Sequence, residues 1–463
     1  EDRILFGSDP KFILFHPAFE IEPDFNAINE TLTMGAPVDS GTLFKGIKRI
    51  SSGNLLNIKN NEVKRKTYWF PNLGRKRSLD KNRLLKLMVN SVKRLTSDME
   101  RIGVALSGGI DSSLLVDIIS RETETKISTY NIKYPWEKID ESAFARRIAD
   151  KYNTDHHQLE IDHKNYDNFG KYVWQYPNDP TPFQLVLKTK KARPLTSDDL
   201  MLMEGMGADE LFDVPNPLLF AQKIKNAKRL LPSQILKFLN FALPNKFKTM
   251  ELMKTENRMG EVATLFHFSD IFERRRIYSH KFKDSSEKYG NLENIKDQIC
   301  RFNNLADKRS YVLLKSFTLN HILGNNYFLG DRNSFLYPYF DTDVMNYSYN
   351  IRLEDKINKK PIRRISRDRL PKYLIDRDKM SFGYCIQMMV DDSWPLVDNY
   401  VRKLSEREFF SERGINKMLK NRSKAGFDHR RSLNNEVLDF LVGLEIWFET
   451  FIDGNEPKPL KSI

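Results

Sequence analysis

Ser107-Gly108-Gly109-Ile110-Asp111-Ser112-Ser113 joins a short apolar run, Ile102 to Leu106, to a segment whose Leu114, Leu115, Ile118 and Ile119 recur at helical spacing. Strand, glycine turn and helix in that order bring backbone N–H groups together at the positive end of a helix dipole, a place that attracts phosphate. Gly108 and Gly109 let the main chain approach an anion closely, the serine hydroxyls add donors, and Asp111 can hold magnesium against phosphate oxygens. The heptad lacks the Gly-Lys-Ser/Thr of the Walker loop, which positions β and γ phosphates for terminal transfer. Cleavage of a different phosphate bond is expected.

The neighbouring segments extend the pattern. Lys126 to Ile132 reads as a strand, Asp140 to Tyr152 as a helix, and His156 to Ile161 and Leu200 to Glu204 as further strands. Strands alternating with helices predict a doubly wound α/β fold with a parallel sheet and right-handed crossovers. Upstream, Leu84, Leu85, Leu87, Met88, Val92 and Leu95 lie on one side of a helix over Arg83 to Leu95. Before it, Pro71 to Lys81 is polar with Gly and Pro, so a linker is expected over 71–82, between a segment 1–70 and a domain 83–463. The first segment reads as short strands and turns, Ile4 to Gly7, then Gly53 to Ile58 and Val63 to Trp69 as a hairpin. From Leu219 to Phe328 the pattern is mostly helical and Lys-rich.

At 463 residues the chain is too long for a single small module, and 40% hydrophobic residues suffice for ordinary cores, which argues against global disorder. The most nearly continuous apolar run, Ile235 to Pro244, is broken by Lys237 and Asn240 and falls short of the roughly 18 residues of a membrane span. A net charge of +13 suits polyanionic substrates, nucleic acid or an acidic partner, but the basic residues are scattered, without the aromatic interleaving of a single-strand binder. Nucleic acid is therefore not the expected partner. Cys300 and Cys385 have no paired-ligand spacing, which excludes a disulfide framework and a zinc knuckle. With no basic-then-apolar leader after Glu1-Asp2-Arg3, a cytoplasmic protein is expected.

The heptad resembles the pyrophosphate loop of the N-type ATP pyrophosphatases, which cleave ATP between the α and β phosphates. Glu204-Gly205-Met206-Gly207-Ala208-Asp209-Glu210-Leu211-Phe212 resembles the Ser-Gly-Glu-Gly-Ala-Asp-Glu-Leu-Phe segment of the glutamine-hydrolysing asparagine synthetases. Asp140-Glu141-Ser142 and Thr154-Asp155-His156 look like the stretch between them, with His156 structural rather than catalytic, since no nucleophile pairs with it. Arg377-Asp378-Lys379-Met380-Ser381-Phe382 is similar to that family's Arg-x-Lys-x-x-Phe segment, with Asn358 to Arg364 preceding it at family-like spacing. The resemblance implies a sheet of the adenine nucleotide α-hydrolase type with a helical C-terminal part. It also implies that residues 1–70, through Leu5 to Lys11, Thr42 to Gly46, Ser52-Gly53 and Tyr68-Trp69, are a small β-rich remnant of an N-terminal nucleophile glutaminase domain.

By that resemblance the cofactors are ATP and Mg2+. Ser107, Gly108, Gly109, Asp111 and Ser112 would bind pyrophosphate, Asp111 and Asp209 the metal, and backbone groups of Leu106, Ile132 and Gly205 the adenosine. Lys379 would act as the catalytic cation. The implied reaction is AMP-forming amide ligation, in which a carboxylate, aspartate first, is adenylated and ammonia or an amine then displaces AMP. Glutamine hydrolysis in that family needs an N-terminal Cys, whereas the first Cys here is Cys300, so a separate or missing glutaminase portion is the implied partner.

Two departures touch the acceptor side. Met206 stands where that family has Glu and cannot accept a proton. Asp331-Arg332-Asn333-Ser334 runs almost directly into Pro338-Tyr339-Phe340-Asp341, omitting a Glu and an Arg of the family pattern. Alternatives are an amide-forming relative of the lasso-peptide cyclase or β-lactam synthetase type acting on another acid, a degenerate non-catalytic homologue, and an RNA-modifying pyrophosphatase. The last commonly carries cysteine pairs or an added RNA-binding module, and neither is visible.

Overall fold

The apolar residues around the glycine turn build the centre of the molecule. The computed structural model describes residues 4–60, 62–134, 140–160, 173–174, 176–178, 180–181, 201–214, 277–283, 290–329, 335–376, 382–420 and 429–455. Helix α1 (Pro10–Leu14) and helix α2 (Phe25–Met34) precede the hairpin β1 (Asn54–Lys59) and β2 (Glu62–Thr67). Then come α3 (Lys81–Thr96), β3 (Arg101–Ala105), α4 (Ile110–Glu122), β4 (Lys126–Lys133), α5 (Ser142–Lys151) and β5 (Asp155–Glu160). The sheet is completed by β6 (Leu202–Met203), which leads into α6 (Ala208–Phe212), and by β7 (Phe335–Leu336), which follows α7 (Leu305–Lys315) and α8 (Phe317–Leu329). Beyond it lie α9 (Thr342–Tyr349), α10 (Lys360–Ser366), α11 (Phe382–Asp392), α12 (Trp394–Glu406), α13 (Glu412–Lys420) and α14 (His429–Phe451).

The strand order is β5-β4-β3-β6-β7, and every neighbouring pair is parallel. This is the expected doubly wound sheet. The chain winds outward from β3 through β4 to β5, then returns to the other side of β3 as β6, so the topological switch point lies between β3 and β6. Loops leaving the carboxyl ends of such strands form a crevice, the usual ligand position in open α/β sheets. Leu84, Met88 and Val92 of α3 and Leu114, Leu115, Ile118 and Ile119 of α4 are fully buried with Ile102 and Val104 of β3. Asp80 caps α3 by accepting from the N–H groups of Asn82 and Arg83, both at 3.0 Å, which fixes where the helix begins.

The hairpin expected near residue 60 is present, with Asn54 opposite Thr67 and Lys59 opposite Glu62. The strand expected over Ile4 to Gly7 is not found, and α1 and α2 precede the small antiparallel sheet that the hairpin forms. Both helices carry local start signals that outweigh the short apolar run. Asp9 caps α1 ahead of Pro10, and Asp24 accepts from the N–H groups of Asn26 and Ala27. Gly35, at φ +80°, then closes α2. Ala27, Ile28, Leu43 and Phe44 share a core with Trp447 and Phe451 of α14. Most of the helical stretch expected over Leu219 to Phe328 lies outside the described residues, but from Gly290 onward it is helical as read. Among the described residues no helix is long and apolar enough to cross a membrane.

Glu30 of α2 is fully buried and accepts from the backbone N–H groups of Val38 (3.2 Å), Asn291 (2.8 Å) and Leu292 (3.2 Å) and from Asn291 Nδ2 (2.9 Å). Burial pushes its carboxyl from 4.5 up to about 7, although these donors favour the charged form. A carboxyl raised in the folded state binds its proton more tightly there than in the unfolded chain. Its contribution is therefore full below about pH 4.5 and is lost as pH rises through about 7. Urea titrations should show wild-type stability falling across that window by up to about 3 kcal/mol more than in Glu30→Gln, at 1.36 kcal/mol per pKa unit. Parallel pH profiles for the two proteins would contradict this.

Candidate active site

The glycine turn is held by its own side chains. The Ser107 N–H donates to Ser112 Oγ at 3.2 Å, the Gly109 N–H donates to Ser107 Oγ at 3.2 Å, and Gly109 caps α4. Gly108 sits at φ +78°, where a Cβ would lie 2.9 Å from the Glu141 carbonyl and 3.0 Å from the Ala145 nitrogen. Only glycine fits a left-handed position pressed this closely against the start of α5. Gly205, two residues past β6, packs equally closely on α4: a Cβ there would meet the Ser112 nitrogen at 3.1 Å and Asp111 Cβ at 3.2 Å.

Leu106 follows β3, Ile132 lies near the end of β4, and Gly205 follows β6, so all three are at the carboxyl edge of the sheet. Leu106 is buried and its carbonyl accepts from Asn131 Nδ2 at 3.0 Å; Ile132 is partly buried. Lys379 lies outside the described residues, as do Asp331 to Ser334. His156 is fixed within the sheet, its Nδ1 2.9 Å from Thr129 Oγ1, and burial lowers its pKa.

Asp111 and Asp209 come together on a residue that the motifs did not single out. Lys359 Nζ donates to Asp111 Oδ2 at 2.6 Å and pairs also with Asp209, and the lysine side chain is only 8% exposed. Its backbone N–H donates to Asp213 Oδ1 at 3.2 Å. Lys359 is the N-cap of α10 and has left-handed backbone at φ 54°. A cation there opposes the helix dipole, and burial further disfavours its charge. Asp111 and Asp209 more than offset both and hold the ammonium pKa well above its ordinary value. One signal was present in the sequence: Pro361 at the start of a helix places Lys359 where an acid or a small polar residue is normally favoured.

The surroundings are acidic. Burial and the charge of Asp209 raise the Asp213 pKa, while Lys359 pulls it back. Arg309 of α7 is half-buried, its charge disfavoured by burial and supported by Glu210, Asp213 and Asp209. Tyr339, fully buried, donates its hydroxyl to the Asp111 carbonyl at 3.2 Å. Asp111 Oδ1 is buried and has no hydrogen-bond partner among the described residues. A hard-oxygen atom of this kind, beside a second carboxylate and a phosphate-type loop, fits magnesium, which takes one or two protein carboxylates and completes its shell with phosphates and water. Among the described residues no group of three or more His, Cys, Asp or Glu is arranged to hold a metal by itself.

A parallel α/β sheet thus carries at its switch point a glycine turn, two carboxylates and a buried lysine. The chain belongs to the asparagine synthase family, whose model matches residues 83–449. It is 25% identical over 248 residues to the glutamine-hydrolysing asparagine synthetase 1 of Bacillus subtilis, a match covering 51% of this chain and 38% of that protein. It is 26% identical over 198 residues to the amidase chyE of Penicillium rubens, covering 38% and 29% respectively. The chain thus spans less than half the length of these curated relatives. Among solved structures, the NH3-dependent NAD synthetase of Campylobacter jejuni aligns with 41% of this chain and 93% of that one, at 12% identity and a TM-score of 0.25.

Proposed function

We propose that the protein is an AMP-forming amide ligase. A carboxylate oxygen attacks the α-phosphorus of ATP and the bond to the β-phosphate oxygen breaks, giving an acyl-adenylate and pyrophosphate. Ammonia or an amine then attacks the acyl carbon, loses a proton and expels AMP. The observation that carries the reading is Lys359 bridging Asp111 and Asp209 beside the N-terminus of α4. In this reading Ser107, Gly108, Gly109, Asp111 and Ser112 form the site for the departing pyrophosphate at the N-terminus of α4, and Lys359 balances its charge. In the same reading backbone groups of Leu106, Ile132 and Gly205 meet adenosine, and Lys379 acts on the charge developing at the reacting carbonyl. Asp111 and Asp209 would hold magnesium, which when bound supplies Lewis acidity toward the phosphate oxygens.

Aspartate is the acid proposed first. Met206, in place of the family's Glu, favours a second reading in which another acid is adenylated. The test is incubation with Mg-ATP, ammonia and a panel of acids including aspartate, followed by mass spectrometry of nucleotides and products. AMP and a new amide in equal amounts are expected. ADP in place of AMP, or no ATP consumption with any acid, would overturn the proposal.

A further inference from the structure

The carboxylate that Met206 does not supply has a counterpart two residues upstream. Glu204 leaves the carboxyl end of β6, and Tyr337 leaves the carboxyl end of the adjacent parallel strand β7. The two are locked in step, since the Glu204 N–H donates to the Leu336 carbonyl at 2.9 Å. Asn325 of α8, fully buried, spans their side chains: its Nδ2 donates to Glu204 Oε2 at 3.1 Å and to the Tyr337 hydroxyl at 3.1 Å. With both amide hydrogens spent, Asn325 Oδ1 is left buried without a hydrogen-bond partner among the described residues. A buried acceptor of this kind is costly unless something donates to it.

The result is a carboxylate, an amide carbonyl and a phenol oxygen gathered at one sheet edge. Burial and the nearby Glu204 charge keep the Tyr337 phenol protonated, so the cluster carries no second negative charge. It adjoins the proposed nucleotide site directly, because Gly205, next to Glu204, packs on Asp111 and Ser112. An acceptor-rich cluster that includes a carboxylate is complementary to a compact cation bearing several N–H donors.

We propose that Glu204, Asn325 and Tyr337 form a recognition site for a primary ammonium group. The inference rests on the ligase reading for the identity of the molecule that carries it, either the amino group of the acid to be adenylated or the incoming amine. The Glu204 carboxylate supplies charge, Asn325 Oδ1 accepts one N–H, and Tyr337 fixes Asn325 so that its carbonyl faces the ligand.

Two measurements test this. The first needs no turnover: thermal melting of the whole protein in ethylammonium chloride against tetramethylammonium chloride at equal ionic strength. Ethylammonium, which has N–H donors, is expected to raise the melting temperature over the tetramethylammonium value, and Glu204→Gln and Tyr337→Phe are expected to shrink that difference. Equal melting of wild type in the two salts overturns the ammonium site whatever the chemistry of the enzyme. The second measures KM for aspartate in ATP–pyrophosphate exchange without added amine, and KM for ammonia in amide formation. Glu204→Gln should raise at least one of them 10-fold or more, with a smaller change in KM for ATP. A rise in the first assigns the site to the acid's own amino group, and a rise in the second alone assigns it to the nucleophile. If neither KM moves in a variant with an unaltered circular dichroism spectrum, the inference fails. Absence of exchange in wild type with every acid would instead count against the ligase reading, leaving the melting comparison to decide the ammonium site.

Discussion

Lys359→Met is expected to slow ATP–pyrophosphate exchange by about 100- to 1,000-fold, the usual cost of removing one preorganised donor aimed at developing charge. The ammonium touches both Asp111 and Asp209, so without it two carboxylates face each other and face the phosphates. Repulsion should raise KM for Mg-ATP as well as lower kcat. The folded state should also lose stability, because removing one partner of a buried ion pair leaves an uncompensated charge at a cost of about 3–5 kcal/mol. The cost should fall at the low end, since the Asp209 side chain is 46% exposed and water screens it. Lys359→Arg keeps the charge but not the compact ammonium, and should recover stability more fully than rate. Exchange by Lys359→Met within threefold of wild type would remove Lys359 from the phosphate site.

Gly108→Ala should cost about 2–5 kcal/mol and abolish exchange. Left-handed backbone costs a residue with Cβ roughly 1–2 kcal/mol, and forcing extra atoms into packed surroundings adds about 1–3 kcal/mol. At φ +78°, with the Glu141 carbonyl 2.9 Å from the new methyl, relief would require the turn to move away from α5. That movement would turn the loop N–H groups away from a phosphate. Gly109→Ala is the control, because its Cβ would meet only Ser107 Oγ, at 3.3 Å, a side chain that can rotate. Urea denaturation together with exchange rates distinguishes the two variants, and equal behaviour would contradict the packing argument.

Much of the α/β centre was legible because its signals are local. The turn at Ser107 to Ser113, the one-sided apolar spacing of α3 and α4 and the runs that became β3 and β4 each declare themselves within a dozen residues. Asp111 and Asp209 were legible as motif residues. Lys359 was not, because its meaning depends on Asp111, 248 residues away, and no local period reports such a contact. Asn325 escaped for a related reason: a single amide in a helical stretch declares nothing until Glu204 and Tyr337 are seen to lie against it. The N-terminal helices were missed for the opposite reason. Their caps at Asp9 and Asp24 were readable, but the exposed apolar stretch from Ile4 to Phe6 drew the reading toward a strand.

The lysine clasp has a bearing on how the polypeptide matures. Its members emerge in the order Asp111, Asp209, Lys359, and the last arrives only after most of the chain has been made. Until then the two acids have no countercharge from Lys359, and closing so long a loop carries an entropic toll that only the finished packing can overcome. The clasp is therefore completed late, after the sheet has been laid down, and a nascent or cleaved fragment ending before residue 359 lacks it.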